Sequence, residues 1–534
     1  MNFRSAMRIF FSFILFAIIV ICGSVSSFSS KAKKEIILTP KNYSKITLNT
    51  PFNKNLPIAE TKFPARICNI INYGAIGDGK TKNTQAFATA ISDCAQQGGG
   101  KVEVPPGTWL TGPIHLESNI DLDIQKDARI NFSIDFKDYL PVVFSRFEGI
   151  EYYNFSPPIY AKNAHNIAIT GKGSINGEGQ NWWNLSILHS IKKLYEMGEN
   201  NVPVNQRIFG TAKAGLRPAF VEFVNCQRAL IKNITLVNGP MWTIHPLYSQ
   251  DIIVKNINIQ TEKGPSTDGV VIDSSQNILV ENSTFSTGDD AITIKSGRDN
   301  DGRRVGIPSK NIVLQNCTVD NAHGAIAIGS EMSGNVENVL AQNFTVRQAQ
   351  HGFRIKSNEE RGGIAQNIWV KNLDIDSLSV ATIKLNMHYE KRRSAHYNKN
   401  YPPSFQNIHI NGVTCQATKD SINLIGLANQ PAMKNLDLKN INILYARDGL
   451  QMNYVNNTHL NNINIAPKYG PPFTITDSRG ITLSNSGCPA NKPVCLTISG
   501  NSSQNINLVG NSFDQQLKKI YINKDVDKSQ LKIQ

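Results

Sequence analysis

An all-β solenoid, a right-handed parallel β-helix with a short N-terminal capping helix, is the fold that this 534-residue sequence predicts. Three observations carry the prediction. An asparagine followed by alternating apolar residues recurs at Asn166, Asn233, Asn256, Asn277, Asn311, Asn367, Asn407, Asn440 and Asn505. With intermediate copies such as Asp251-Ile252-Ile253-Val254, most intervals are about 20 to 40 residues, the range of solenoid repeats. Short β-branched runs alternate with Asn, Gly, Ser and Asp, which reads as strands joined by turns. Helical periodicity is nearly confined to residues 83–97, where Ala86, Phe87, Ala90, Ile91 and Ala95 share one face. Antiparallel hairpins with tight two-residue turns, which a β-sandwich needs, are not evident.

Taken in order, Arg4 and Arg8 precede an apolar run from Ile9 to Cys22 and the small residues Gly23, Ser24, Ser26 and Ser27. Residues 1–27 therefore read as a secretory signal, too short for a comfortable membrane span. An uncleaved anchor is the alternative, and bulky Ile21 argues against lipid attachment at Cys22. Residues 28–65 read as an irregular N-terminal arm and 66–534 as the coils. The helix at 83–97 would cap the first coil, because an open stack end leaves a strand edge unpaired. Asparagines in the turns can form side-chain ladders between coils. Residues 185–214 and 388–405 are long inserts. The seven cysteines after Cys22 are scattered, without paired metal-ligand spacing. Cys488 and Cys495 are placed for a local loop closure, with a disulfide and two thiols equally open. The others read as buried thiols, since a chain with 40% hydrophobic residues needs no staples. A net charge of +14 suggests a polyanionic partner. Export and the lack of an arginine-rich arm or nucleic-acid motif exclude nucleic acid, whereas an acidic extracellular polysaccharide fits both export and charge.

Four segments put chemistry on one stripe. Residues 267–274, 289–296, 323–330 and 351–357 align on a shared Ile-x-Ser ending. Alternate residues of a strand face opposite ways. One parity is apolar: Val270 and Ile272, Ile292 and Ile294, Ile326 and Ile328, Phe353 and Ile355. The other gives Asp289, Thr293 and Lys295, then His323 beside Ala325, Ala327 and Gly329, then Arg354 and Lys356. Asp268 and Asp290 share a column at the strand entrance. Stacked at about 4.8 Å, these coils would set carboxylates, an imidazole, a guanidinium and an ammonium around a floor of small residues. That is the layout of an acid/base site for an anionic ligand. Crowded carboxyls raise one another's pKa, so one can keep a proton while others stay ionised. An Asp-Asp pair or a single turn histidine is common in loops, but four such features on one stripe are not.

Ser266-Thr267-Asp268, Gly288-Asp289-Asp290, Ala322-His323-Gly324 and Arg354-Ile355-Lys356, in this order and spacing, resemble the four signature motifs of the polygalacturonases, glycoside hydrolase family 28. The resemblance extends through residues 73–79, 98–102, 105–107, 169–173, Trp182-Trp183 and 240–246, and covers roughly residues 65–510. It implies a pectin-lyase-like β-helix that hydrolyses α-1,4-galacturonosidic bonds in polygalacturonate or pectin with inversion. It makes Asp289 the general acid and gives the attacking water to Asp268 and Asp290. His323 would hydrogen-bond Asp289, and Arg354 and Lys356 would grip the substrate carboxylate. Trp242 and His245 fall in a segment that lines the family's substrate groove. Trp182 and Trp183 read as structural. Ser266 stands where the family usually has Asn, which shortens the reach of a substrate-positioning donor. No cofactor and no metal are implied.

Glu331-Met332-Ser333-Gly334 and Arg361-Gly362-Gly363 resemble bacterial members that remove sugars from chain ends. The inserts could wall off one end of the groove, so exo action is preferred over endo action. Other expectations of the same kind are a rhamnogalacturonan-type hydrolase, a pectate lyase using calcium, or a non-catalytic β-helix that binds polysaccharide. A lyase product would absorb in the ultraviolet through its new double bond. A binding module would need no Asp-Asp, His and Arg-x-Lys stripe. The expected protein is a monomer, secreted or periplasmic, without stable membrane insertion.

Overall fold

The computed structural model describes residues 43–183, 185, 188–211, 214–389, 400–428 and 430–534. The signal at 1–27 and most of the insert at 388–405 lie outside the described residues. Strands from Ile67–Asn69 to Leu531–Ile533 form one 31-stranded sheet that coils about a single core, with neighbouring coils paired in parallel. The alignment drawn from the sequence is the observed register. Val270, Ile292, Ile326, Phe353 and Ile383 stack on one another, and Ile272, Ile294, Ile328 and Ile355 form the adjoining column. Every one of these side chains is buried, and each contributes about 1.5–3 kcal/mol by leaving water. From Ser309 onward whole coils pair along their length, as between Ser309–Gly329 and Val336–Lys356.

The recurring asparagines have two tasks. Asn277, Asn311, Asn338, Asn367 and Asn407 take φ between 56° and 58°, a left-handed bend that asparagine tolerates better than most residues. Their amides then bond from coil to coil: Asn311 to Asn277 at 3.2 Å, Asn338 to Asn311 at 3.1 Å and Asn367 to Asn338 at 3.1 Å. The capping helix runs Thr84–Gln96 and buries Ala86, Phe87, Ala90, Ile91 and Cys94 against the first coils. Cys488 and Cys495 form a disulfide, and Cys68, Cys94, Cys226, Cys317 and Cys415 are buried thiols. Among the described residues no helix is long and apolar enough to cross a membrane.

Two expectations are corrected. The arm is not irregular where it is described: Tyr43–Leu48 and Leu56–Thr61 pair antiparallel. This hairpin lays Leu56 and Ile58 over Leu230, Ile253, Leu279 and Val313, which are apolar on the outer face of the coils and need a cover. A tight hairpin is also present. Val143–Phe147 and Ile150–Asn154 flank Glu148-Gly149, both at positive φ, as a two-residue turn matched to strand twist requires. It stands near the helices Leu188–Glu199 and Asp299–Val305, beside the charged stripe.

Candidate active site

Asp268, Asp289 and Asp290 sit in tight turns ahead of the strands Val270–Asp273 and Ile292–Lys295. The Gly269 N–H donates to the Asp290 carbonyl at 2.9 Å, which puts Asp268 and Asp290 in one column. A Cβ on Gly269 would lie 2.3 Å from the Ala291 carbonyl, and one on Gly288 would lie 2.0 Å from that of Gly264. Glycine is what lets these turns close.

The three carboxyls have three environments. Asp290 is fully buried, with Arg354 Nη2 at 2.5 Å from Oδ1 and Lys356 Nζ at 3.1 Å from Oδ2. Burial alone would raise its carboxyl, but the two cations overcome that and hold it far below the usual carboxylate range. Asp268 is also buried and accepts from Thr293 Oγ1 at 2.9 Å. Burial, and then the charge of Asp289, push it well above its ordinary value, and Lys295 only partly opposes them. Asp289 is open, with its side chain 31% exposed. Its Oδ1 accepts the Asp290 N–H at 2.9 Å and lies 3.2 Å from His323 Nδ1.

His323 Nδ1 is also 3.2 Å from Arg354 Nη2. A guanidinium only donates, so Nδ1 accepts when it pairs with Arg354 and carries a proton when it pairs with Asp289. The imidazole thus stands between two partners. Gly324 makes room for the pair on Asp290, since a Cβ there would be 2.5 Å from Asp290 Oδ1 and 3.1 Å from Arg354 Nε. Ala325 and Ala327 supply the buried floor.

Trp242 and His245 lie on the coil before Asp268, and both are buried. His245 is fully buried, with Nδ1 3.0 Å from Glu222 and Nε2 3.7 Å from Asp273, and Asp273 pairs with Arg146 at 2.9 Å. Trp242 packs with Phe147, Tyr152 and Val271 and lies under the Lys295 ammonium. By register His245 shares the column of Val271, Thr293, Ala327 and Arg354, and the strands Val143–Phe147 and Ile150–Asn154 pack over Trp242. Ser266 is half-buried at the rim, with Oγ 3.5 Å from Arg217 Nη2. Trp182 is packed among Phe136, Tyr139 and Phe155, and Trp183 Nε1 donates to the Gly239 carbonyl at 3.1 Å.

Sequence reasoning placed Lys295 on the stripe but missed its partner, and it missed Arg217 and the place of His351. Lys295 pairs with Glu331 at 2.5 Å, and Glu331 also meets Arg298 at 3.1 Å. The parity of Lys295 on the stripe was the available signal for its place, not for its partner. Arg217 bonds the Pro265 carbonyl beside Ser266. His351 is buried next to His323, and burial followed by the Arg354 charge pushes its imidazole down to about 3, so it stays neutral. Oxygen and nitrogen atoms of Asp289, Asp290 and His323 lie within 4.8 Å of one another. A metal there would have to displace Arg354 and Lys356 from both oxygens of Asp290, so this donor set does not suit a cation.

Three adjacent carboxyls, one held low by two cations, one pushed up by burial and one open to solvent, make the kind of acid/base set that glycosidases use. The chain belongs to the glycosyl hydrolases family 28, whose model matches residues 94–464. It is 30% identical over 378 residues to a probable polygalacturonase of Vitis vinifera, covering 69% of this chain and 72% of that one. It is 28% identical over 402 residues to an exo-poly-alpha-D-galacturonosidase of Dickeya chrysanthemi, covering 70% and 66%. The structure is similar to that of a hyperthermoactive exopolygalacturonase from Thermotoga maritima, with a TM-score of 0.68 and 36% identity over 76% of this chain and 89% of that one.

Proposed function

We propose that this protein hydrolyses the α-1,4-galacturonosidic bonds of polygalacturonate, releasing sugars from a chain end with inversion at the anomeric carbon. The observation that carries the reading is the contrast among three adjacent carboxyls: Asp290 ionised by two cations, Asp268 driven toward its protonated form, and Asp289 open to the groove against His323. Family membership supports cleavage of a glycosidic bond. The names of the relatives support a polyuronate and, for the two bacterial ones, chain-end action. A net charge of +14 suits a polyanionic substrate.

In this mechanism Asp289, the exposed member, gives its proton to the leaving oxygen. Asp268 and Asp290 hold the attacking water on the other face of the sugar. Asp268 takes that water's proton, because its surroundings favour the protonated form once it is reached. His323 returns a proton to Asp289. Lys356 uses one of its three donors on Asp290, and Arg354 uses Nη2 there. Their remaining donors are the ones offered to the substrate carboxylate. The apolar run from Ile9 to Cys22 supports export, and we take the exported enzyme to act as a monomer.

The test is digestion of polygalacturonate with a chelator present. Reducing ends should rise from the start with monomer or a short product dominant, and the first-formed anomer should be the inverted one. Loss of activity with the chelator, or products that absorb as unsaturated uronates, would identify a lyase. Rapid viscosity loss with mixed oligomers would identify endo action, and binding without cleavage would identify a non-catalytic module.

A further inference from the structure

The column of Asp290 continues well beyond the charged stripe. Asp290, Gly324, His351, Ala381, Asp420, Asp448 and Tyr469 follow one another in register, coil upon coil. The column one residue earlier begins with Asp289 and His323. On the last three of these coils it holds Lys419, Arg447 and Lys468, all exposed.

Three cations stacked on adjacent strands repel one another, because like charges directly opposite are destabilising. At a coil spacing of about 4.8 Å the fold gains nothing from this arrangement. Local offsets are partial: Asp448 lies 3.7 Å from Arg447 in the next column, and the Lys468 ammonium lies 5.1 Å from the centre of the Tyr469 ring. Beside the cations, Tyr445 and Tyr469 are 49% and 53% exposed. A row of positive charges repeating at a fixed interval, edged by aromatic faces, matches a polymer with one carboxylate per sugar.

We infer that Lys419, Arg447 and Lys468 form a binding track for the distant part of the same polyuronate chain whose end occupies the Asp289 groove. The inference rests on the substrate class proposed above. Lys419 stands four coils from Asp289, about 19 Å at the coil spacing. A short oligosaccharide seated at Asp289 ends before it reaches the track, whereas a long chain touches both.

The test compares two triple variants with the wild type on galacturonate trimer and on long polygalacturonate. One removes the track (Lys419→Gln, Arg447→Gln and Lys468→Gln). The other removes three charges from a different face of the solenoid, two of them on the coil of Arg447 (Lys371→Gln, Lys434→Gln and Lys439→Gln). The track variant should raise KM for the polymer by about three- to thirty-fold, the sum of three exposed ion contacts. Its KM for the trimer, its kcat and its melting temperature should match the wild type. The polymer effect should shrink in high salt, and the control variant should stay within about twofold of the wild type. Equal effects of the two triples would reduce the track to bulk charge and overturn it. So would a track variant with unchanged polymer KM, in a protein whose wild type cleaves both substrates. A wild type that cleaves neither would instead sink the substrate reading, and the track with it.

Discussion

Asp290 and Asp273 are both fully buried, stand on neighbouring coils, and each pairs with a guanidinium. Their partners come from different places. Asp290 draws Arg354 and Lys356 from a single coil farther along the same stripe, where Asp289 keeps one side open to solvent. Asp273 draws Arg146 from the hairpin and His245 from the previous coil, with Glu222 beyond it, and all of them are sealed. Both carboxyls are held low by neighbouring positive charge against the effect of burial. Burial and ion pairing therefore do not distinguish a chemical carboxylate from a structural one. An exposed neighbouring carboxyl does, as Asp289 is beside Asp290, together with a nearby carboxyl pushed the other way, as Asp268 is.

The largest effect expected from breaking this contrast is at Asp289. Asp289→Asn should lower kcat by about 10²–10⁴-fold and leave the melting temperature nearly unchanged, since its side chain is partly exposed. A variant keeping a tenth of the activity would remove Asp289 from the acid role. Asp273→Asn should do the reverse. It strands a buried Arg146 charge and should cost about 3–5 kcal/mol of stability, read by denaturant melts, while the protein that remains folded keeps most of its kcat.

Gly324→Ala sharpens the comparison within the site. The new methyl would press on Asp290 Oδ1 and Arg354 Nε. A displacement approaching 1 Å should cost up to about 10²-fold in kcat; a wild-type rate would show that the Asp290 pairing tolerates the shift. Lys295→Met gives the smallest change and a direction that can be checked. Lys295 opposes the upward push on Asp268, so its loss raises that carboxyl further. Asp268 must be ionised to receive the water's proton, so the acid limb of kcat/KM should move to higher pH. A limb that stays put or moves down would mean that Asp268 is not the group it reports.

Much of the fold was legible because its signals are local and repeat. The Ile-x-Ser endings set the register of four coils, and the left-handed asparagines mark each bend within a few residues of an apolar pair. The capping helix announced itself through one face. The site was legible where parity decides it: Asp268, Asp289, Asp290, His323, Arg354 and Lys356 converge as their strand positions require. What stayed hidden depends on distance. Arg146 meets Asp273 across 127 positions of sequence, and nothing near either residue names the other. The Glu148-Gly149 hairpin lacks the Asn or Asp that usually marks a two-residue turn. Trp242 and His245 sit in a motif shared with groove-lining segments, and only packing shows that both are buried.

The asparagine ladder also gives the molecule a polarity. Asn457, Asn435, Asn407, Asn367, Asn338, Asn311 and Asn277 each donate an amide hydrogen to the coil before, and Asn277 donates to the carboxylate of Asp251. The amides therefore point head to tail, and each bond polarises the next. An anion closes the end where acceptors accumulate. The two ends of such a row differ: Asn457 presents an amide oxygen to the coil after it, whereas Asp251 ends the run at the other end. Replacing Asp251 by a residue without an acceptor should be felt along the row, and replacing Asn457 only at its tip.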